Sequence, residues 1–221
     1  MACCSACFRY AEAEHQFGAA VAARDLERYR RKGPDANARL LLAALRDHVR
    51  AGLSLLDIGG GVGVIDFELL AHGIGSATLV DASSPYLEAA GREAEARRTG
   101  DRLQRVAGDF ALLAESIQPA DVVTMHRVVC CYPDYVSLLD AATSHARQVF
   151  AFSYPRNRWY IRSWLALENL RRRLTGNPFR TFVHSPAAME ARVVQGGFVR
   201  IHRSRTFFWS IDVYVRPDVT Q

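Results

Sequence analysis

Three acidic residues follow the ends of three predicted strands, and the first opens onto a glycine-rich turn. The segments are Leu55-Leu56-Asp57-Ile58-Gly59-Gly60-Gly61-Val62-Gly63, then Val80-Asp81-Ala82, then Ala107-Gly108-Asp109-Phe110. Glycines in such a turn let the backbone bend sharply and approach a ligand where a Cβ would collide. Each carboxylate alone could be an ordinary helix cap, but three at successive strand ends fit a cofactor cradle better.

Two cofactor classes use such a turn, and the sequence discriminates between them. A dinucleotide needs G-x-G-x-x-G with its pyrophosphate on the N-terminus of the next helix. Counted from Gly59, that pattern demands glycine or alanine at Val64; counted from Gly61, it demands one at Asp66. Asp66 also puts a carboxylate into the first helical turn, where it would repel phosphate. S-adenosylmethionine carries a sulfonium and an ammonium group and no phosphate, so carboxylates around the turn are compatible with it. Asp81 offers acceptors for both hydroxyls of a ribose, and Asp109 with Phe110 offers an acceptor and a contact for adenine.

Hydrophobic periodicity places these residues on alternating elements. Two helical segments, Phe8 to Tyr29 and Asp35 to Arg50, precede the first strand, Leu53 to Asp57. Helix Val64 to His72, strand Ala77 to Asp81, helix Pro85 to Arg98, strand Leu103 to Ala107 and a short helix Ala111 to Ser116 follow. Next come strand Asp121 to Met125, helix Tyr135 to Arg147, strand Gln148 to Ser153 and a long helix Arg158 to Leu174. Helix Pro186 to Gln195 and strands Val199 to Ser204 and Thr206 to Val215 complete the chain. Alternation of this kind predicts an α/β fold, a doubly wound Rossmann-like sheet of seven strands, with a parallel core, a C-terminal antiparallel hairpin and helices on both faces. Ser84-Pro85 and Ser185-Pro186 are expected to cap and start helices. One domain is expected over residues 1–221, with residues 1–50 as an N-terminal helical lid and 53–215 as the core.

From Leu53 to Val215 the chain resembles the class I S-adenosylmethionine-dependent methyltransferases, most strongly through Leu56-Asp57-Ile58-Gly59-Gly60-Gly61-Val62-Gly63. The resemblance implies that Asp57, Gly59, Gly61 and Gly63 surround the methionine part of S-adenosylmethionine, that Asp81 with Ala82 holds the ribose, and that Asp109 and Phe110 face the adenine. A weaker likeness, to the magnesium-protoporphyrin O-methyltransferases, rests on Met125 to Asp134, Phe152-Ser153-Tyr154-Pro155 and Thr181 to Ser185. Cys131-Tyr132-Pro133 stands where that family usually shows His-Tyr-Pro.

The resemblance directs attention to a small-molecule methyl acceptor at the carboxyl edge of the sheet, methylated at a carboxylate or hydroxyl oxygen. An ionised carboxylate needs no general base, whereas a phenol or alcohol does. His126, just past the fourth strand, is the candidate catalytic residue; Tyr132 and His184 are candidate pocket lining. Tyr29, in Arg28-Tyr29-Arg30-Arg31-Lys32-Gly33, is a candidate lid residue over the cofactor. Trp159, Tyr160, Trp164, Leu165 and Leu167 form a stripe that reads as core packing or as one wall of a large flat pocket. Arg156, Arg158 and Arg162 border it and suit an anionic, hydrophobic acceptor such as a porphyrin.

Composition sets the outer limits. The 221 residues, 49% hydrophobic and 23% charged, exclude a disordered chain and suffice for one domain. No apolar stretch is long enough for a membrane span, and Met1 to Tyr10 lacks the pattern of an export signal, so a soluble cytoplasmic protein with reduced thiols is expected. Cys3, Cys4 and Cys7 include half a zinc spacing with no second pair, so no metal is expected; Cys130 and Cys131 read as packing. The net charge of +5 is almost all arginine. An RNA or protein methyltransferase is the alternative that this charge raises, although nucleic acid is not an expected partner. A module that binds S-adenosylmethionine without turnover is the other. Oligomeric state is not legible.

Overall fold

The computed structural model describes residues 16–217. Cys3, Cys4, Cys7 and the first part of the expected helix Phe8 to Tyr29 lie outside the described residues. The remainder of that helix is α1 (Ala19–Lys32), whose Ala22, Leu26 and Tyr29 recur at helical spacing and are buried. Gly33, in the left-handed region at φ +68°, ends it. Asp35 caps α2 (Ala36–Leu45) by accepting from the backbone of Asn37 and Ala38. That helix stops five residues short of the expected Arg50, because the chain turns after Leu45 toward the first strand.

The alternating core follows as β1 (Ser54–Ile58), α3 (Val64–Ala71), β2 (Ser76–Asp81), α4 (Ser84–Ala96), β3 (Leu103–Ala107) and the short α5 (Phe110–Leu113). It continues as β4 (Ala120–Met125), α6 (Tyr135–His145), β5 (Ala146–Pro155), α7 (Trp159–Leu174), α8 (Pro186–Gln195), β6 (Val199–Arg205) and β7 (Trp209–Val215). Ser185 caps α8 as expected, but Ser83, not Ser84, caps α4, its hydroxyl accepting from Tyr86. Ser84 and Pro85 therefore occupy the first turn, where a missing N–H costs nothing.

The sheet order is β3-β2-β1-β4-β5-β7-β6, parallel from β3 to β5, with β7 antiparallel to both β5 and β6. The seven strands and the closing hairpin match the expected fold. β5 is longer than the expected Gln148 to Ser153 because β7 pairs with it from Val149 to Pro155. β7 begins at Trp209 and not at Thr206, because the Thr206 N–H donates to the Trp209 carbonyl and closes the hairpin turn. Neighbours on β1 lead to β2 on one side and β4 on the other. The crevice beyond their carboxyl ends is therefore the switch point where α/β sheets place ligands.

Each face of the sheet is covered. Leu55 of β1 packs with Leu26, Tyr29, Leu41, Leu45, Ile65 and Phe67 beneath α1 to α4. Leu56 and Ile58 point the other way, toward Phe110, Leu138, Met189 and Val193. The expected stripe on α7 divides. Leu165 is buried and anchors the helix together with Ile161, whereas Trp159, Trp164 and Leu167 are exposed.

Candidate active site

A cavity of about 390 Å³ opens at the switch point, lined among others by Asp57, Gly59, Gly60, Gly61, Asp81, Ala82, Asp109, Phe110, His126, Arg127 and Tyr132. The glycine turn is built for this close approach. Gly59 and Gly61 sit at φ +66° and +60°, in the left-handed region that a β-carbon disfavours. A Cβ on Gly59 would fall 2.4 Å from Val128 Cγ2, whereas one on Gly61 would meet nothing within 4 Å. Gly63, at φ +82°, caps α3, where a Cβ would lie 2.9 Å from the Phe67 ring.

The acids differ in how well they are satisfied. Asp57, paired in register with Thr124 of β4, accepts from that hydroxyl at 2.6 Å through Oδ1, while its Oδ2 is buried. Asp66 of α3 is fully buried, and its carboxyl meets no side chain other than that of Asp57. Burial pushes Asp57 up to about 7, and burial together with Asp57 itself pushes Asp66 well above the carboxylate range. The two therefore hold a proton between them near neutral pH. Asp81 accepts from Gly61 N at 2.9 Å and Ser83 N at 2.8 Å, bonds that only partly offset burial, which lifts it to about 6. Asp109 caps α5 through Ala111 N and receives the Tyr132 hydroxyl on both oxygens, at 3.1 and 2.9 Å.

His126 occupies the other side of the cavity. Its Nδ1 lies 3.0 Å from Ser153 Oγ, which also accepts the Arg127 N–H at 2.9 Å. Ser153 Oγ thus bridges the Arg127 N–H and His126 Nδ1, while His126 Nε2 is buried without a partner. Burial, helped by the neighbouring Arg127 charge, lowers the imidazole to about 4 and keeps it neutral. Arg127 itself stands at φ +63°, a conformation that costs a non-glycine residue about 1–2 kcal/mol. An ion pair to Asp35 at 2.7 Å and the Trp209 ring 5.2 Å from its guanidinium hold it there.

Not every residue singled out in the sequence reaches the cavity. Tyr29 lines it, but its hydroxyl donates to Glu68 at 2.7 Å and its ring stacks on Phe67. Gly63, His184, Arg156 and Trp159 do not line it. His184 shares its Nε2 hydrogen between the carbonyls of Val129 and Tyr132, at 3.1 and 2.9 Å, and so pins the loop after β4. Arg156 donates to the Thr206 carbonyl at 3.0 Å and braces the hairpin tip. Trp159 is 78% exposed. Sequence reasoning passed over Arg28 and Asp35, which also line the cavity, and Ser153 and Arg127, which orient and flank His126. Their signals were weak: a backbone conformation and a long-range pairing leave no mark on residue spacing.

The residues present fit S-adenosylmethionine and not a dinucleotide. Asp57, Asp81 and Asp109 line the cavity beside the glycine turn, where a cationic ligand is favoured and a pyrophosphate repelled. Sheet order, cradle and acids together define the α/β methyltransferase class. The chain belongs to the methyltransferase domain family, which it matches over residues 27–205.

Ubiquinone/menaquinone biosynthesis C-methyltransferases of Roseobacter denitrificans (strain ATCC 33942 / OCh 114) and Ruegeria sp. (strain TM1040) are 39% and 38% identical over 77 residues. That span is 34% of this chain and 31% of each relative. The fold is shared with magnesium protoporphyrin IX methyltransferase from Synechocystis PCC 6803. With bound SAH, that structure gives a TM-score of 0.68 at 20% identity over 92% of this chain and 97% of the other. With bound SAM it gives 0.69 at 18% over 94% and 97%. An O-methyltransferase family 2 protein from Planctomyces limnophilus DSM 3776, in complex with apigenin, gives 0.60 at 18% over 86% and 64%.

Proposed function

We propose that the chain transfers a methyl group from S-adenosylmethionine to an oxygen of a small acceptor, and that His126 positions that oxygen. The observation that carries this reading is that His126, held neutral by burial, lines the same cavity as the glycine turn and its acids. When bound, S-adenosylmethionine supplies an electrophilic methyl on a sulfonium that is already an activated leaving group. Asp57 and the glycine turn would hold its methionine part, Asp81 with Ala82 the ribose, and Asp109 with Phe110 the adenine, Tyr132 keeping Asp109 in place. A carboxylate retains free lone pairs after accepting two backbone hydrogens, so Asp81 can still receive ribose hydroxyls.

An imidazole lowered to about 4 is a weak base near neutral pH, so in this reading His126 holds the acceptor oxygen by a hydrogen bond and does not remove a proton from it. That suits an oxygen already ionised, such as a carboxylate, which loses no proton on methylation. The exposed Arg28, which lines the cavity, adds positive charge for an anionic acceptor.

A second reading, methyl transfer to carbon of a quinol-like ring, is favoured by the identity to the quinone-pathway C-methyltransferases. One experiment separates the two. The protein is incubated with methyl-labelled S-adenosylmethionine and a panel of porphyrin propionates, phenols and quinols, and the products are treated with mild base. Label released by base is a methyl ester and supports the carboxylate reading; base-stable label on ring carbon supports the second. Cofactor binding with no labelled product from any acceptor would leave a silent binding module. His126→Ala is expected to lower kcat by about 10²-fold while leaving S-adenosylmethionine affinity within a factor of two.

A further inference from the structure

Helix α7 carries two faces. Ile161 and Leu165 bury one, and Asn169 and Arg172 tie it to the following loop. Asn169 exchanges two hydrogen bonds with the Thr181 backbone, at 2.7 and 3.0 Å, and the Arg172 guanidinium lies 5.2 Å from the Phe179 ring, which lines the cavity. The outer face repeats at helical spacing through Tyr160, Trp164, Leu167, Arg171 and Leu174, with Trp159 and Leu170 beside it. Leu174 is 78% exposed and Trp164 62%. The patch continues onto the hairpin tip, because Phe207, 75% exposed, stacks on Tyr160 at 5.2 Å between ring centroids. An apolar face of this extent in water marks an interaction surface.

Charge says what covers it. Exposed Arg162 and Arg173 flank this face and exposed Arg158 precedes the helix, against a single acid on α7, Glu168, which is already paired with Arg171 at 2.7 Å and with the inward Arg172 at 3.5 Å. The covering surface must therefore be anionic on the outside and apolar beneath. Arginines that hold their charge outward over an apolar stem, with tryptophans at the boundary, match that layering. We propose that this face, the outer side of α7 with Phe207, lies on an anionic lipid bilayer. No helix among the described residues is long and apolar enough to cross a membrane, so the contact is peripheral, with the helix in the plane of the surface. The same helix carries, on its inner side, the Arg172 contact to Phe179, so bilayer and cavity face opposite sides of one element.

Vesicle flotation tests the proposal without any methyl acceptor. The full chain is expected to float with vesicles of phosphatidylglycerol and phosphatidylcholine, to float poorly with phosphatidylcholine alone, and to detach as salt rises. Its tryptophan emission should shift to the blue on binding. Trp164→Glu with Leu174→Glu should cut bound protein about tenfold, as should Arg162→Glu with Arg173→Glu. All four side chains are exposed, so thermal melting and S-adenosylhomocysteine affinity should stay at the wild-type values. The proposal is overturned by no binding to anionic vesicles, by binding that both double variants retain, or by a solution dimer that Trp164→Glu with Leu174→Glu dissociates.

Discussion

Two buried aspartates, on opposite sides of the same sheet, are treated in opposite ways. Asp212 of β7 meets Arg203 through two bonds of 2.7 Å and also receives the Tyr154 and Tyr214 hydroxyls, at 3.0 and 3.3 Å. Asp57 of β1 has the Thr124 hydroxyl on one oxygen and, beyond it, only a second acid, Asp66, with which it shares a proton. Burial is equal, so burial does not mark function. What separates a structural acid from a ligand-facing one is whether the fold supplies its partners. An unsatisfied buried carboxyl costs several times what a satisfied one does, and it persists where something outside the chain completes it.

The largest test of the contrast is Asp212→Ala. It leaves Arg203 with only the Glu190 contact at 3.3 Å and takes the acceptor from the Tyr154 and Tyr214 hydroxyls, and should lower stability by about 3–5 kcal/mol in urea denaturation. A loss no larger than that of an ordinary surface substitution would end the comparison. Gly59→Ala on the other side should cost about 2–3 kcal/mol, combining a left-handed backbone with a Cβ driven into Val128. It should also remove S-adenosylhomocysteine binding, whereas Asp212→Ala should spare binding in whatever fraction remains folded.

The smallest effect has the opposite sign. Asp57 and Asp66 have folded pKa values raised above those of the unfolded chain, so the folded state holds extra protons. Their contribution is fully present below about pH 4 and is lost as pH rises through about 7. Asp66→Asn supplies an amide in place of the second acid and should flatten that decline, raising stability at pH 8 by at least about 1 kcal/mol. An unchanged or lower melting temperature at pH 8 would mean that the pair is already satisfied in the folded chain.

Much of this was legible in the residues. Strand and helix alternation predicted the parallel core, and the short break after Ser204 predicted the hairpin, because period-2 and helical patterns survive in sequence. The cradle was legible too: Asp57, Asp81 and Asp109 with the glycine turn line one cavity. What failed was the acceptor side. Trp159, Arg156 and His184 looked like pocket residues by type, but their direction is set by packing: α7 turns Trp159 outward, the hairpin turn takes Arg156, and two carbonyls take His184. The Ser153 bond to His126 joins β5 to the loop after β4 across a long stretch of sequence, and no local pattern announces it.

The account's central claim is that the acid-lined glycine cradle is the site of an adenosyl cofactor. Titration calorimetry of the purified chain with S-adenosylmethionine, S-adenosylhomocysteine and NADH, beside Asp81→Ala, tests it most directly. The account predicts that both adenosyl ligands bind, that NADH does not, and that Asp81→Ala weakens binding at least tenfold, or about 1.4 kcal/mol. Binding of NADH in preference to the adenosyl ligands, or an Asp81→Ala protein with undiminished affinity, would contradict it.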